Sequence, residues 1–390
     1  MDYYDLLLAT KLSGGGGGGG GGKTSLPLKD VNFYDYDGTV VYAYTKNEWA
    51  NVTDLPANPS HNGLTAQGWN FTKAEIDSLL AKIHTPLSIG QTYITSSGKT
   101  EVDISLPSYL LSPYFSLCVN GTAEIDWGDG NTTTLTGNNI DTIKNTQHTY
   151  ASLGDYTIKV SVLSGKIALN GDVTSHPKQI LNSGITAGYQ YQDTAYQNCV
   201  KRVRIGEDVQ EIKYMAFAYC SSLEYITIPN GVAIEGGWNF YHCCSLHYLT
   251  IPADTIAKAD YVFAETGLKA ISWKKQDSSV KGDLFFNVRE LQSIYVPEGT
   301  TTISTHMFGN CSSLYSITLP STTTTIGSNA LDHCASCLEI HILATSVPSL
   351  QSNSFNNMQS TYIVYVPQES LNDYKTATVW STIASRIVGE

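Results

Sequence analysis

Phe217, Phe240, Phe263 and Phe286 stand 23 residues apart. Leu223 and Leu246 keep that interval, and Leu268, Leu291 and Leu314 take it up again. Ile228-Pro229 returns as Ile251-Pro252, Val296-Pro297 and Leu319-Pro320. The unit is close to F-x-x-C-x-x-L-x-x-I-x-I-P. A unit this short cannot bury its apolar face alone, so each copy must stack on the next. The spacing therefore predicts a solenoid with one short strand per turn and a continuous core of stacked Phe, Leu and Ile.

The particular form, "AFAYCSSLEYITIPNGV", resembles the BspA-like leucine-rich repeats of bacterial surface proteins. The resemblance covers roughly residues 200–368, and the repeat region is bounded at 166–368. Residues 369–390 are expected to cap it. Tyr362 to Val366 reads as a final strand, Ser370 with Asp373 as a helix start, and Tyr374, Trp380, Ile383 and Ile387 as the cover of the stack.

The N-terminal half is built differently. Gly14 to Gly22 is an unbroken glycine run, which behaves as a flexible tether over 13–26. Residues 1–12 then form a peptide on a string, with Tyr3, Tyr4, Leu6, Leu7 and Leu8 as candidate docking residues. Residues 27–102 read as a small α+β module. Its helix, "TKAEIDSLLAKI", carries the Thr72/Glu75 capping box and apolar 3/4 spacing at Ile76, Leu79, Leu80 and Ile83. "QTYITSSGKTEVDISL" reads as a hairpin through Ser97-Gly98. Residues 103–165 read as all-β, with turns at Asn120-Gly121 and Asp129-Gly130. Trp127-Gly128-Asp129-Gly130, His148-Thr149-Tyr150 and Gly154-Asp155-Tyr156-Thr157-Ile158 make this segment similar to polycystic-kidney-disease (PKD) domains. That resemblance implies an immunoglobulin-like sandwich used as a spacer or adhesion module.

Composition narrows the partners. Lys+Arg 23 against Asp+Glu 35 leaves −12, which repels nucleic-acid phosphate and anionic lipid. No run reaches the ~20 apolar residues of a membrane span. Acidic residues precede Leu6-Leu7-Leu8 where a signal peptide needs positive charge, so synthesis in a bacterial cytoplasm without a signal peptide is expected.

Candidate chemistry is thin. Asp35-Tyr36-Asp37-Gly38-Thr39 has the form of the haloacid-dehalogenase-type phosphatase motif, with Asp35 as nucleophile. Strand-like residues follow it instead of a helix, and Asp-Gly between two β-rich runs is a hairpin signal. Gly14 to Gly22 before Lys23-Thr24 imitates a phosphate loop but has no strand before it and no helix after it. "YHCCSLH" and "DHCASC" carry zinc-like spacing. Yet Cys220, Cys243, Cys311 and Cys334 share one register position, where a free Cys serves as a small buried hydrophobe. The expectation is a non-enzymatic protein with no cofactor and no metal.

The repeat register offers a positive candidate. With Leu223, Ile226 and Ile228 inward, Tyr225 and Thr227 point outward. So do Tyr248, Thr250, Ser272, Ser293, Tyr295, Ser316 and Thr318 on later turns. An uncharged Tyr/Ser/Thr strip is a common make-up for a binding surface. The fold class is mainly β: α+β module, PKD-like sandwich, and leucine-rich-repeat solenoid with a helical cap. The full-length combination, including "YDLLLA" before a glycine run and "YDYDGTV", resembles modular proteins of gut-bacterial phages and prophages. That resemblance implies a virion-attached adhesion protein, held through its N-terminus by a virion structural protein. It would display the repeats to a host-surface protein or carbohydrate after lysis, with a homo-oligomer as a further expectation. A BspA-type adhesin of the bacterial surface is the alternative.

Overall fold

The computed structural model describes residues 25–107, 110–170, 179–183, 195–252, 260–274 and 282–390. The docking residues Tyr3, Tyr4, Leu6, Leu7 and Leu8 lie outside that range. The first module has strands β1 (Val31–Tyr34), β2 (Val40–Tyr44), β3 (Leu64–Trp69) and β4 (Leu87–Thr95) in one sheet, order β2-β1-β4-β3. Its helices are α1 (Lys46–Trp49) and α2 (Lys73–Leu80). Each starts on the reciprocal capping box of Thr and Glu, Thr45/Glu48 and Thr72/Glu75, which satisfies two otherwise orphaned amides. The α2 box is the one its sequence announces. Phe33, Ile76, Ile83 and Ile89, all fully buried, form the module's core.

β5 (Thr100–Leu106), β6 (Tyr114–Asp126), β7 (Thr132–Gln147), β8 (Gly154–Leu169) and the short β9 (Leu181–Asn182) follow. β4 and β5 do not form the expected hairpin. β4 pairs with β1 and β3, whereas β5 pairs with β8 and with the first solenoid strand, β10 (Val200–Arg204). Ser97-Gly98 does reverse the chain, but Gly98 accepts from Glu207 at 3.2 Å and so docks the turn on the solenoid. The Asn120-Gly121 turn is also absent. Both residues sit inside β6, with Gly121 opposite Gly137 of β7 and Gly165 of β8. A Cβ on Gly121 would meet the Ser164 carbonyl oxygen at 2.1 Å, so the three glycines let these strands cross closely. Asp129-Gly130 is a turn as expected, and there Trp127, His148 and Tyr150 pack as one aromatic cluster.

The solenoid's strands form two parallel rows. One comprises β10, β12 (Tyr225–Thr227), β14 (Tyr248–Thr250), β15 (Ala270–Ser272), β16 (Ser293–Tyr295), β18 (Ser316–Leu319), β20 (Glu339–Ile342), β22 (Ile363–Val366) and β23 (Ile387–Gly389). The other comprises β11 (Val209–Ile212), β13 (Ala233–Ile234), β17 (Thr302–Ile303), β19 (Thr325–Ile326) and β21 (Ser349–Leu350). The boundary expected at 165/166 falls inside β8, which pairs onward with β11. One hydrophobic core runs from Val102 through Trp127 and the repeats to Ile387.

Inside the stack, Phe217, Phe240, Phe263, Phe285 and Phe308 form a ladder with centroid spacings of 5.7, 6.0, 5.3 and 5.5 Å. Phe285 takes the rung that spacing assigns to Phe286. The turn "FAETGL" is one residue shorter than "FYHCCSL", which shifts the register after Phe263. Gly267 permits the shortening, because a Cβ there would meet the Cys244 carbonyl oxygen at 2.0 Å. Phe286 lies outside, edge-on to His306. The buried cysteines follow their register: Cys243, Cys311 and Cys334 donate to the carbonyls of Phe217, Phe285 and Phe308 at 3.1, 3.3 and 3.1 Å.

The cap contains α3 (Leu371–Thr376) and a 3-10 segment, Trp380–Arg386. Tyr374, Trp380 and Ile387 are buried as expected. Two details differ. Tyr362 to Val366 is not the last strand, since β23 pairs beyond β22. Ser370 does not cap α3; its hydroxyl donates to the Thr345 carbonyl at 2.7 Å instead.

Candidate functional site: the strip and what covers it

The Tyr/Ser/Thr strip points away from the solenoid core, as its register requires, but it is not open. The N-terminal module lies on it. Tyr34 stacks on Tyr248 with ring centroids 4.5 Å apart and planes 14° off parallel. Tyr36 packs on Tyr225 at 4.7 Å. Thr85 and Thr318 share a hydroxyl hydrogen bond of 3.1 Å. Ser272 Oγ is 3.0 Å from Asn70 Oδ1 and 2.8 Å from the Ser88 carbonyl. Asn70 in turn donates to the Ile251 carbonyl at 3.0 Å. Tyr295 joins the module's own core beside Phe33 and Ile89.

The strip's accessibility is corrected accordingly. Thr227, Tyr248, Thr250, Ser272, Tyr295, Ser316 and Thr318 are buried, and only Tyr225 and Ser293 keep partial exposure. Period-two alternation fixes which way a side chain points, and nothing local says what lies opposite. The close fit depends on Gly90 of β4. A Cβ there would meet Thr250 Oγ1 at 2.1 Å and the Tyr248 hydroxyl at 2.6 Å. Burial pushes the Tyr34 and Tyr248 hydroxyls well above the ordinary phenol range. A salt bridge from Lys274 to Glu75, 2.8 Å, closes one flank.

Asp35 sits at the end of β1, 1% exposed. The expected bend is present: Asp35 N–H donates to Thr39 and Gly38 N–H to Asp35, with Gly38 at φ +84°. The Asp35 carboxylate meets His61 Nε2 at 2.7 Å and accepts from Tyr93 at 2.8 Å and from the Tyr36 amide at 2.9 Å. Both oxygens are engaged, and the residue anchors the turn that carries Tyr36 onto Tyr225. In the zinc-like motifs, Cys243 and Cys334 point into the core while Cys244 is exposed. His242 pairs with Glu265 and His333 with Asp332, so those donors do not converge.

A second surface escaped the sequence reading. Two positions per turn have left-handed backbone: Met215, Trp238, Tyr261, Asp283, His306 and Asn329 in one series, and Tyr219, His242, Glu265, Asn287, Asn310, His333 and Asn357 in the other. Later turns place Asn or Asp at many of these sites, the residues that tolerate this conformation. Early turns also place Tyr and Trp there, at a cost of about 1–2 kcal/mol each. The ladder holds them, for example through Tyr219 N–H to the Tyr241 carbonyl at 2.7 Å. The outcome is a half-exposed aromatic edge. Trp238 stacks on Tyr261 at 4.5 Å and 23°, and Tyr241 contacts both Trp238, at 4.5 Å, and Tyr219, at 5.3 Å.

These features define a leucine-rich-repeat solenoid with an occupied sheet face and, among the described residues, a partly exposed aromatic edge. Residues 190–312 and 278–382 match the family described as BspA type leucine rich repeat region, in six copies. Among solved structures, the chain is similar to a leucine-rich repeat protein from Bacteroides ovatus ATCC 8483, with 20% identity, 48% of this chain and 67% of that chain covered, and a TM-score of 0.26. No curated protein matches. Among the described residues no helix is long and apolar enough to cross a membrane.

Proposed function

We propose that this chain is a non-enzymatic adhesin that contacts a host-surface protein or carbohydrate through the aromatic edge of its early repeats. The observation that carries the reading is the placement of Tyr219, Trp238 and Tyr261 at left-handed positions where Asn costs less. Strain held by surrounding structure concentrates at functional sites. Half-exposed Tyr and Trp give large, rigid contact area at low entropy cost. Binding of the labelled chain to host cells and to arrayed glycans tests it. Trp238→Ala with Tyr261→Ala is expected to abolish capture, and unchanged capture would overturn the reading.

The finer reading is a virion-associated protein. Residues 1–12 would dock on a virion structural protein, the glycine tether would give reach, and several copies would act together. Residues 103–165, with Trp127, His148 and Tyr150 clustered, would be a PKD-type spacer. Detection of the chain in purified virions, lost on deletion of residues 1–12, is the expected result. The BspA-type repeats favour a second reading, an adhesin of the bacterial surface, which predicts the chain on intact cells and none in virions.

A further inference from the structure

The geometry points to a divalent transition-metal site, with zinc the best fit, built by His84, His341 and Glu390 where the N-terminal module meets the last turns. These residues come from three separate elements: the loop before β4, strand β20 and the residue following β23. One donor atom from each lies within 4.8 Å of the others. Glu390 Oε2 is 2.9 Å from His341 Nδ1 and 3.4 Å from His84 Nε2. Donors on a tetrahedral ion at zinc–nitrogen distance stand about 3.4 Å apart. The gap to His84 matches that separation, and the 2.9 Å contact to His341 is a hydrogen bond that a bound ion would replace. Two His and one Glu is a recurrent zinc donor set that leaves a fourth position for solvent.

The independent observation is the other nitrogen of His341. Its side chain is 4% exposed, and Nε2 is buried with no hydrogen-bond partner. The nearest carboxylate oxygen, Glu339 Oε2, is 3.7 Å away. An imidazole that ligates through Nδ1 carries its proton on Nε2, and a carboxylate facing that proton is the usual outer partner of a zinc-bound histidine. Glu339 stands on that side and would close a gap of 3.7 Å to accept the proton once an ion fixes the ring. His341 is fixed further by stacking between His84, at 4.8 Å, and Tyr365, at 4.6 Å. The His84 and His341 rings are 11° from parallel, so one of them must turn to aim its lone pair at a shared ion. His84 can turn, because its side chain is half exposed. The nearby cation Lys46 is tied to the Ile83 carbonyl at 2.7 Å.

The test uses the full chain, dialysed against chelator and titrated with zinc. Calorimetry is expected to show a single zinc per chain and a raised melting temperature that chelator reverses. His84→Ala and Glu390→Gln should each weaken binding by roughly tenfold or more. His333→Ala, in the "DHCASC" motif, should leave it unchanged. Cobalt(II) should give weak visible bands without an intense thiolate charge-transfer band, separating this site from the cysteines. No stoichiometric binding, wild-type affinity in His84→Ala, or a thiolate band would each overturn the assignment.

Discussion

Tyr34 of the N-terminal module and Tyr248 of the solenoid lie face to face, 4.5 Å apart and nearly parallel. Both are buried, and they stand 214 positions apart in the chain, 248 less 34. The pair joins two units that each have a core of their own. An aromatic pair contributes about 0.5–1.5 kcal/mol beyond its burial. A double-mutant cycle on Tyr34→Ala and Tyr248→Ala should return a coupling of that size in denaturant melts. A coupling near zero would mean that the module does not rest on this strip in solution.

Gly90 offers a cleaner way to lift the module. Its backbone is not left-handed, so the strain of a side chain there comes from the strip it meets first, at Thr250 and Tyr248. Gly90→Val should cost about 1–3 kcal/mol through overpacking. The Phe ladder should persist, and amide exchange should speed up along Tyr248–Thr250 and Ala270–Ser272. Uniform loss of protection across all repeats would contradict a docked and separable module.

Much of this arrangement is legible in the sequence, and the failures have a common form. Side chains one repeat apart touch only their neighbours, so Phe217, Phe240 and Phe263 announce their ladder directly. The count slips at Phe285 because one turn shortens at Gly267, and spacing alone cannot say which of two adjacent Phe residues turns inward. Ser97-Gly98 announces a reversal but not that β4 and β5 join different sheets. Asn120-Gly121 has hairpin chemistry, yet a row of glycines across three strands uses it for close crossing. The strip residues face outward as alternation requires, but their cover comes from Asn70, Thr85 and Gly90, far away in the chain. The His84, His341 and Glu390 cluster is invisible for the same reason.

Acid should loosen the joint between β5 and β10. Arg204 holds Asp103 through two hydrogen bonds of 2.8 Å and reaches Glu101 at 3.0 Å. Burial acts to raise the Asp103 pKa, but the Arg204 and Thr157 hydrogen bonds outweigh it and hold the carboxyl below its ordinary value. A depressed carboxyl contributes stability above its unfolded pKa, and loses it as pH falls through the folded one. Melting temperature should therefore drop as pH falls below about 4. Arg204→Gln should lower stability at neutral pH and flatten that acid dependence. An unchanged acid slope in Arg204→Gln would remove this pair from the account.

Thiol reactivity reads the solenoid core directly. Of the eight cysteines, only Cys244 is exposed, and the other seven are buried. Burial pushes the Cys199 thiol up to about 11 and the Cys311 and Cys337 thiols up to about 12, which suppresses the reactive thiolate. An aromatic disulfide reagent at neutral pH should modify Cys244 alone in the native chain and all eight cysteines in denaturant. Cys244→Ser should then abolish the native reaction without altering stability, since its side chain faces solvent. Cys311→Ala, by contrast, removes a buried sulfur and its bond to the Phe285 carbonyl, and should cost about 1–2 kcal/mol. Rapid native labelling at Cys243, Cys311 or Cys334 would show that the stack opens between turns, which a continuous Phe ladder does not allow.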